Sequence, residues 1–574
     1  MINYIKDKKM LVIISILITI LQVMIMLFQP DITSKVIENL NIIDASGNQM
    51  IDQEKVQFYT VIMIIIGVLG LFLGLVNTFI AAKISMYVGT KMRSDSFEKI
   101  QKFSYSQIEK FEVSHLLVRL TNDIMQVQRM VMQVFQYLIR IPLVFIGALI
   151  FSIVLVPELW WTTILFVLLA IVMQGIAMKL IMPKFKVLQN STDNLNTIIK
   201  ENVDGVRVIK SFVTEEKEEK RFTKEVNVLT KSLKDVGFVF SILIPAFTLT
   251  ANLIIVLIFF MLSKVGVEQP EKISAIIAFN QYIYMLMFTI VAGGFMMSQA
   301  ARAVVSAKRI EEINTQDTTS INKYEELLKI DSIEFKNVNF KYEGSESYSL
   351  KNISFKINRG EKIGIIGTTG SGKSTIVQLI PQIYLPTEGE ILINGRNELD
   401  YSINSILSKI SIVSQKANLF SGTIKDNILQ GNNEASEEDL IWASEKAQAY
   451  EFINKKEGKF EADVYQKGSN FSGGQKQRIS IARGLVSRPD LLILDDSTSA
   501  LDAKSEKLVK EVIYNELNET TVIMVAQKIS SIIETNKIIV VNEGKIESIG
   551  THKELLKSSV TYKEIYETQK EQND

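Results

Sequence analysis

Six apolar stretches crowd the first 300 residues and leave this chain few folds to choose from. They run over residues 10–29, 58–82, 135–155, 160–180, 237–262 and 273–299, and each is close to the roughly 20 apolar residues that a helix needs to cross a bilayer. The chain therefore reads as a six-span helical domain lodged in a lipid bilayer. Lys6, Lys8 and Lys9 before the first stretch resemble the start of a signal peptide. The run is too long for one and lacks a small-residue cleavage site, so it is read as a retained span. Basic residues mark cytoplasmic segments. That rule puts the N-terminus inside and the segment 31–57 outside, because Asp31, Glu38, Asp44, Asp52 and Glu54 face only Lys35 and Lys55 there. The turn Val156-Pro157-Glu158, with no basic residue, is also outside.

The two inside segments, 83–133 and 184–235, hold almost no helix breakers, with Gly89 in the first and Gly205 in the second. Helices are expected to continue past the membrane, and about 25 residues rising ~1.5 Å each carry the chain ~40 Å into the cytosol. Their tips, placed at 113–119 and 202–212, are read as short helices that dock on a cytosolic domain. Polar groups within the spans are sparse: Asn77, Arg140, Gln174, Asn252, Asn280 and Gln281. An ionisable residue at membrane depth points to function, so Arg140 is a candidate substrate contact, although its place near the end of span three also suits snorkelling. Met285, Met287, Met296 and Met297, with Tyr282, Tyr284, Phe288 and Phe295, give the sixth span soft and aromatic groups. These suit an adaptable apolar cavity or plain helix packing, and the sequence favours packing.

The remaining 274 or so residues of the 574 carry the mixed charge of a soluble α/β domain. The expected division is a transmembrane domain over 1–315, a linker over 316–330 and an α/β P-loop nucleotide-binding domain over 331–574. Lys plus Arg balances Asp plus Glu at 63 each, which gives no sign of a nucleic-acid partner. There is no cysteine, so no disulfide, thiolate metal site or thiol nucleophile exists, and two histidines cannot build a His-rich zinc site.

Gly367-Thr368-Thr369-Gly370-Ser371-Gly372-Lys373-Ser374 lies between an apolar strand-like run and a helix-like one. It fits G-x-x-x-x-G-K-S/T, in which glycines let backbone N–H groups face phosphates, Lys373 adds a point charge and Ser374 a hydroxyl for Mg²⁺. Leu491-Leu492-Ile493-Leu494-Asp495 reads as a buried strand ending in a carboxylate, the Walker B arrangement. Phe471-Ser472-Gly473-Gly474-Gln475 stands before a helix and offers further N–H groups. Gln415 follows the strand 410–413, and Tyr342 stands upstream with a ring able to stack on adenine.

On these residues the chain resembles ATP-binding cassette (ABC) exporters of the type IV fold, over essentially its whole length. The resemblance implies six membrane helices fused to one nucleotide-binding domain, two halves per transporter, and two ATP molecules sandwiched between Walker A of one half and S-G-G-Q of the other. It implies that Gly367, Thr368, Thr369, Gly370, Ser371, Gly372, Lys373, Ser374 and Thr375 hold ATP phosphates and that Tyr342 stacks on adenine. Ser374, Gln415 and Asp495 would hold Mg²⁺, while Ser472, Gly473, Gly474 and Gln475 face the partner's γ-phosphate and Asp502 lies in the cross-dimer loop.

Two positions depart from the family pattern. Asp496 stands where the family has the glutamate that polarises the attacking water, one methylene short, and a base set back by ~1 Å can lose orders of magnitude in rate. Gln527 stands in Val525-Ala526-Gln527-Lys528-Ile529 where the family has a histidine, and an amide cannot become an imidazolium. The chain thus resembles the degenerate-site subunit of bacterial heterodimeric multidrug exporters. That implies a plasma-membrane efflux half for hydrophobic or amphipathic small molecules, whose homologous partner carries the usual glutamate and histidine. The alternatives are a peptide or lipid exporter, possibly homodimeric, and a nucleotide-gated regulatory membrane protein. A chain that starts so near its first span and has no cysteine is not expected to process leader peptides.

Overall fold

A computed structural model of the chain describes residues 2–40, 42–43, 49–264, 270–316 and 325–571. Two compact units divide it: Met1–Gln101 with Ser114–Gln316, and Lys102–Val113 with Asp317–Asp574. Most of the expected linker 316–330 lies outside the described residues.

The first unit is helical. Lys9–Leu40, Gln53–Gln101, Val113–Leu155, Pro157–Asp204, Glu215–Met261 and Ser274–Asn314 are each long and apolar enough to cross a membrane, and they take in the six apolar stretches. At 49 residues, Gln53–Gln101 extends roughly 70 Å. That is more than twice the ~30 Å hydrocarbon layer, so the helix runs well past it. The third span is not uniform: π-helical turns interrupt it at Arg119–Asp123 and Val134–Leu138, and such turns recur at functional sites.

Polar groups inside this unit are mostly bonded. Ser15 Oγ donates to Asn77 Oδ1 at 2.7 Å, and Asn77 Nδ2 donates to Thr19 Oγ1 and to Phe135 O. In lipid such interhelical bonds replace the water these groups lose. Tyr282, fully buried beside Phe166, Phe247 and Phe279, donates to Leu27 O at 2.7 Å. The sixth span's soft and aromatic groups are therefore divided. Tyr282 and Met287 pack inside the unit, whereas Phe295 and Met297 are exposed. Arg140 Nη2 donates to Met26 Sδ at 3.1 Å.

The second unit is built on a six-stranded sheet in the order Lys545–Gly550, Lys537–Asn542, Lys362–Gly367, Thr521–Val525, Leu491–Asp495, Ile410–Val413. All neighbours are parallel except the first pair. Lys362–Gly367 and Thr521–Val525 are buried at every residue, as strands covered on both faces must be. Alternate side chains feed two cores: Ile366, Val413, Leu492 and Leu494 one, Ile365, Leu491, Ile493 and Val525 the other. A four-stranded antiparallel sheet, Leu350–Asn358, Ser332–Phe340, Glu388–Ile393 and Arg396–Asn397, completes the unit.

The segment packed on this second unit corrects one sequence expectation. It is Tyr105–Phe111, earlier than the 113–119 tip, whose residues Val113–Val118 instead open the third long helix. Ser104 starts the short helix with a capping box to Gln107. Tyr105 meets Tyr384 edge-on with ring centroids 5.6 Å apart, and Lys110 pairs with Glu343 at 3.0 Å. The other tip breaks at Gly205 and forms the helix Val206–Ser211 within the first unit.

Candidate nucleotide-binding site

Four stretches far apart in sequence meet because their strands are parallel and in register. Asp495 lies opposite Val525, Leu494 opposite Val413, and Val525 opposite Ile365. The residues at the end of each strand therefore emerge at the same carboxyl edge, where open α/β sheets bind ligands. These are the loop 367–374, Gln415, Asp496 and Gln527.

The loop needs its glycines. Gly367 sits at φ +157 and a Cβ there would lie 2.0 Å from Val541 O; Gly372 sits at φ +101, where a Cβ would lie 2.6 Å from Leu350 Cδ2. Lys373 Nζ donates to Gly367 O at 2.9 Å and to Thr368 O at 2.7 Å. Burial pulls its pKa down, while Asp496 and Asp495 oppose that. Ser374 Oγ donates to Asp495 Oδ1 at 3.0 Å. The Asp495 carboxyl is pushed up, chiefly by burial, with Asp496 adding and Ser374 and Lys373 opposing. Ser371 Oγ is buried without a hydrogen-bond partner, a polar atom suited to an anionic oxygen ligand. The Ser374 hydroxyl with the Asp495 carboxylate offers the hard oxygens that Mg²⁺ takes.

Asp496 is held from two sides. Its Oδ2 accepts Gln415 Nε2 at 2.7 Å and Gln527 Nε2 at 3.1 Å. Its backbone is left-handed at φ +48, and its N–H donates to Val525 O at 2.9 Å. Asp496 and Gln527 thus sit in a single hydrogen-bonded cluster with Gln415.

Tyr342 is fixed by its neighbours: its hydroxyl bonds Thr375 Oγ1 at 2.9 Å, and its ring meets Phe340 and Tyr384 edge-on at 4.9 and 5.2 Å. Ser472, exposed, caps the helix Gly473–Leu485 in a capping box with Gln475. Gly473 has no atom within 4 Å of where a Cβ would stand. Asp502 makes its bonds at home, capping Ala503–Asn515 through Ser505 N at 3.0 Å and Ser505 Oγ at 2.7 Å. Ser472, Gly473, Gly474 and Gln475 belong to a helix start separate from the loop 367–374.

Residues 12–291 match the ABC transporter transmembrane region and 350–499 the ABC transporter family. The ABC transporter ATP-binding protein YfiB of Bacillus subtilis is 32% identical over 576 residues, 99% of this chain and 98% of that protein. MG014 of Mycoplasma genitalium, an ABC transporter ATP-binding protein by name, is 34% identical over 532 residues, 89% of this chain and 85% of its own length. The chain belongs to the ABC transporter family. Its fold matches a bacterial Atm1-family ABC exporter solved with ATP bound, at a TM-score of 0.80, 21% identity and 98% coverage of both chains.

This ABC half-transporter, with membrane and ATP-binding regions in one polypeptide, also uses residues that no sequence motif singles out. Tyr384 bridges Tyr342 and Tyr105, and its hydroxyl pKa is raised, chiefly by burial and further by Glu109. Gln569, on the C-terminal helix Val560–Glu571, reaches the loop that carries Gln527. Glu398 is buried with neither carboxyl oxygen bonded. Of these, only Tyr384 had a sequence signal, as an aromatic close behind the phosphate-loop helix.

Proposed function

We propose that this chain is the degenerate-site half of a heterodimeric efflux pump for hydrophobic or amphipathic small molecules. One observation carries the reading: the Asp496 carboxylate, already one methylene short, spends one oxygen on the amides of Gln415 and Gln527, and an amide fills the place of the family's imidazole. A base must reach the proton it takes, and a side chain tied back at two points cannot advance to a water. In this reading ATP lies on residues 367–375 with Tyr342 on its adenine. Ser374, Gln415 and Asp495 would hold Mg²⁺, whose charge would offset that of the phosphates. The exposed Ser472 and Gly473, with the half-buried Gly474 and Gln475, serve the partner's ATP, and the partner brings glutamate and histidine to that second, competent site. Asp502 takes part at the dimer contact besides capping its helix.

The nucleotide-binding unit and the N-terminus are cytoplasmic, and closure of the paired units drives the membrane helices outward-open. The substrate class rests on a cavity of about 250 Å³ within the membrane unit, lined by Met178, Met182, Phe185, Phe240, Phe295 and Gln174 among others. Apolar and flexible walls accept varied ligands, and Gln174 Oε1, buried without a partner, gives a ligand donor somewhere to bond.

The test is ATPase activity of the full-length chain purified alone and with its partner. Alone it should hydrolyse ATP slowly, and Asp496→Glu combined with Gln527→His should raise that rate by about tenfold or more. A wild-type chain that alone matches the double variant would contradict the reading.

A further inference from the structure

We infer that Gln569, at the end of the C-terminal helix, is a positioning residue for the loop that senses the γ-phosphate. The inference rests on the reading of Gln527 as standing at the family's histidine position, where its amide can hydrogen-bond the γ-phosphate, and goes beyond it by making the C-terminal helix part of the sensing device.

One side chain spans the loop. Gln569 Nε2 donates to Gln527 O at 2.7 Å, and Gln569 Oε1 accepts from Ile529 N at 2.9 Å. The two bonds have opposite polarity, so the amide has one satisfactory orientation: flipping it sets oxygen on oxygen and donor on donor. The loop is thus gripped on both sides of Lys528. On its near side it is tied to the central sheet, since Ala526 N donates to Ile365 O at 3.0 Å. Gripped so, the Gln527 backbone is fixed, and its side-chain amide meets Asp496 Oδ2 at 3.1 Å.

The helix that delivers Gln569 is itself anchored. Tyr562 is fully buried and its hydroxyl bonds His552 Nδ1 at 2.7 Å, while Ile565 and Tyr566 pack on the core that includes Ile529 and Ala526. Positions 562, 565, 566 and 569 fall on one helix face by the i, i+3, i+4, i+7 rule. Three of them seat the helix; the fourth, two turns on, reaches the loop. Residues 42 and 40 positions apart in sequence are thereby joined in one chain of bonds from the C-terminal helix to Asp496.

The experiment uses the assembled full-length transporter and reads occupancy of this chain's own site by 8-azido-ATP photolabelling, competed by MgATPγS or MgADP. Gln569→Ala removes both bonds and should weaken MgATPγS by about threefold to tenfold and leave MgADP within about twofold, since ADP has no γ-phosphate. Gln569→Glu keeps the acceptor for Ile529 N but turns a second oxygen toward Gln527 O, and should weaken MgATPγS at least as much. In a Gln527→Ala background, Gln569→Ala should add almost nothing, the non-additivity of residues acting through one another. Equal loss of both nucleotides, or full additivity, would mean that Gln569 only braces the fold and would overturn the inference. Selective weakening by Gln527→Ala alone, with Gln569→Ala silent, would overturn it while sparing the γ-phosphate reading. No selectivity change from Gln527→Ala would remove that reading and the inference with it.

Discussion

At the scale of single residues, the nucleotide-binding unit buries one carboxyl group whose two oxygens have no partner. Glu398 is 1% exposed, both of its carboxyl oxygens lack partners, and burial pushes its pKa up to about 9 from an ordinary 4.5. Between those values the folded chain binds a proton that the unfolded chain has released, so stability falls as pH rises through that window. Glu398→Gln keeps the shape and removes the ionisation. It should raise stability at pH 8 by on the order of 2 kcal/mol and flatten the dependence between pH 5.5 and 8, as followed by thermal unfolding of the full-length chain. An unaltered pH slope would show that Glu398 is not the group responsible. Lys362, by contrast, is buried but satisfied, its Nζ donating to Leu517 O and Thr520 O at 2.6 Å each. A buried polar group costs little once bonded and much when not.

Among elements, the segment Tyr105–Phe111 and the strand end at Phe340 are connected by rings. Tyr105, Tyr384 and Tyr342 succeed one another edge to face, at 5.6 and 5.2 Å. Edge-to-face pairs contribute about 0.5–1.5 kcal/mol beyond area burial. Tyr105→Ala and Tyr384→Ala should therefore show a coupling of that size in a double-mutant cycle of unfolding free energy; simple additivity would deny the contact. This element also shows where sequence reading succeeds and fails. The spans were legible because twenty apolar residues have few other uses, and the phosphate loop because its residue types are tied to fixed offsets. The docking segment lies off the middle of its breaker-free stretch, where the pattern alone points, although Ser104 and Gln107 form a readable S-x-x-Q capping box. The grip of Gln569 on the 527–529 loop had no local signal at all: it joins positions some forty residues apart through one amide, and no periodicity records that. The second oxygen bond of Asp496 was hidden for the same reason, since Gln415 and Gln527 converge only when three strands align.

At the scale of the whole molecule, the chain keeps an exposed helix start at Ser472 while tying back its own Asp496, an arrangement suited to one half of a two-part machine. On the proposed reading that cluster gives different duties to two otherwise similar ATP sites, and the natural assembly should contain two different polypeptides. Purification of this chain from its native membrane should bring a homologous ABC chain in a one-to-one ratio, and recovery of this chain with itself alone would argue for a homodimer. The most direct measurement is vanadate trapping of 8-azido-ATP in that assembly, with the labelled polypeptide then identified. A degenerate site in this chain predicts label overwhelmingly on the partner, whose Walker residues share a pocket with Ser472 to Gln475 of this chain; equal labelling of both polypeptides would contradict it.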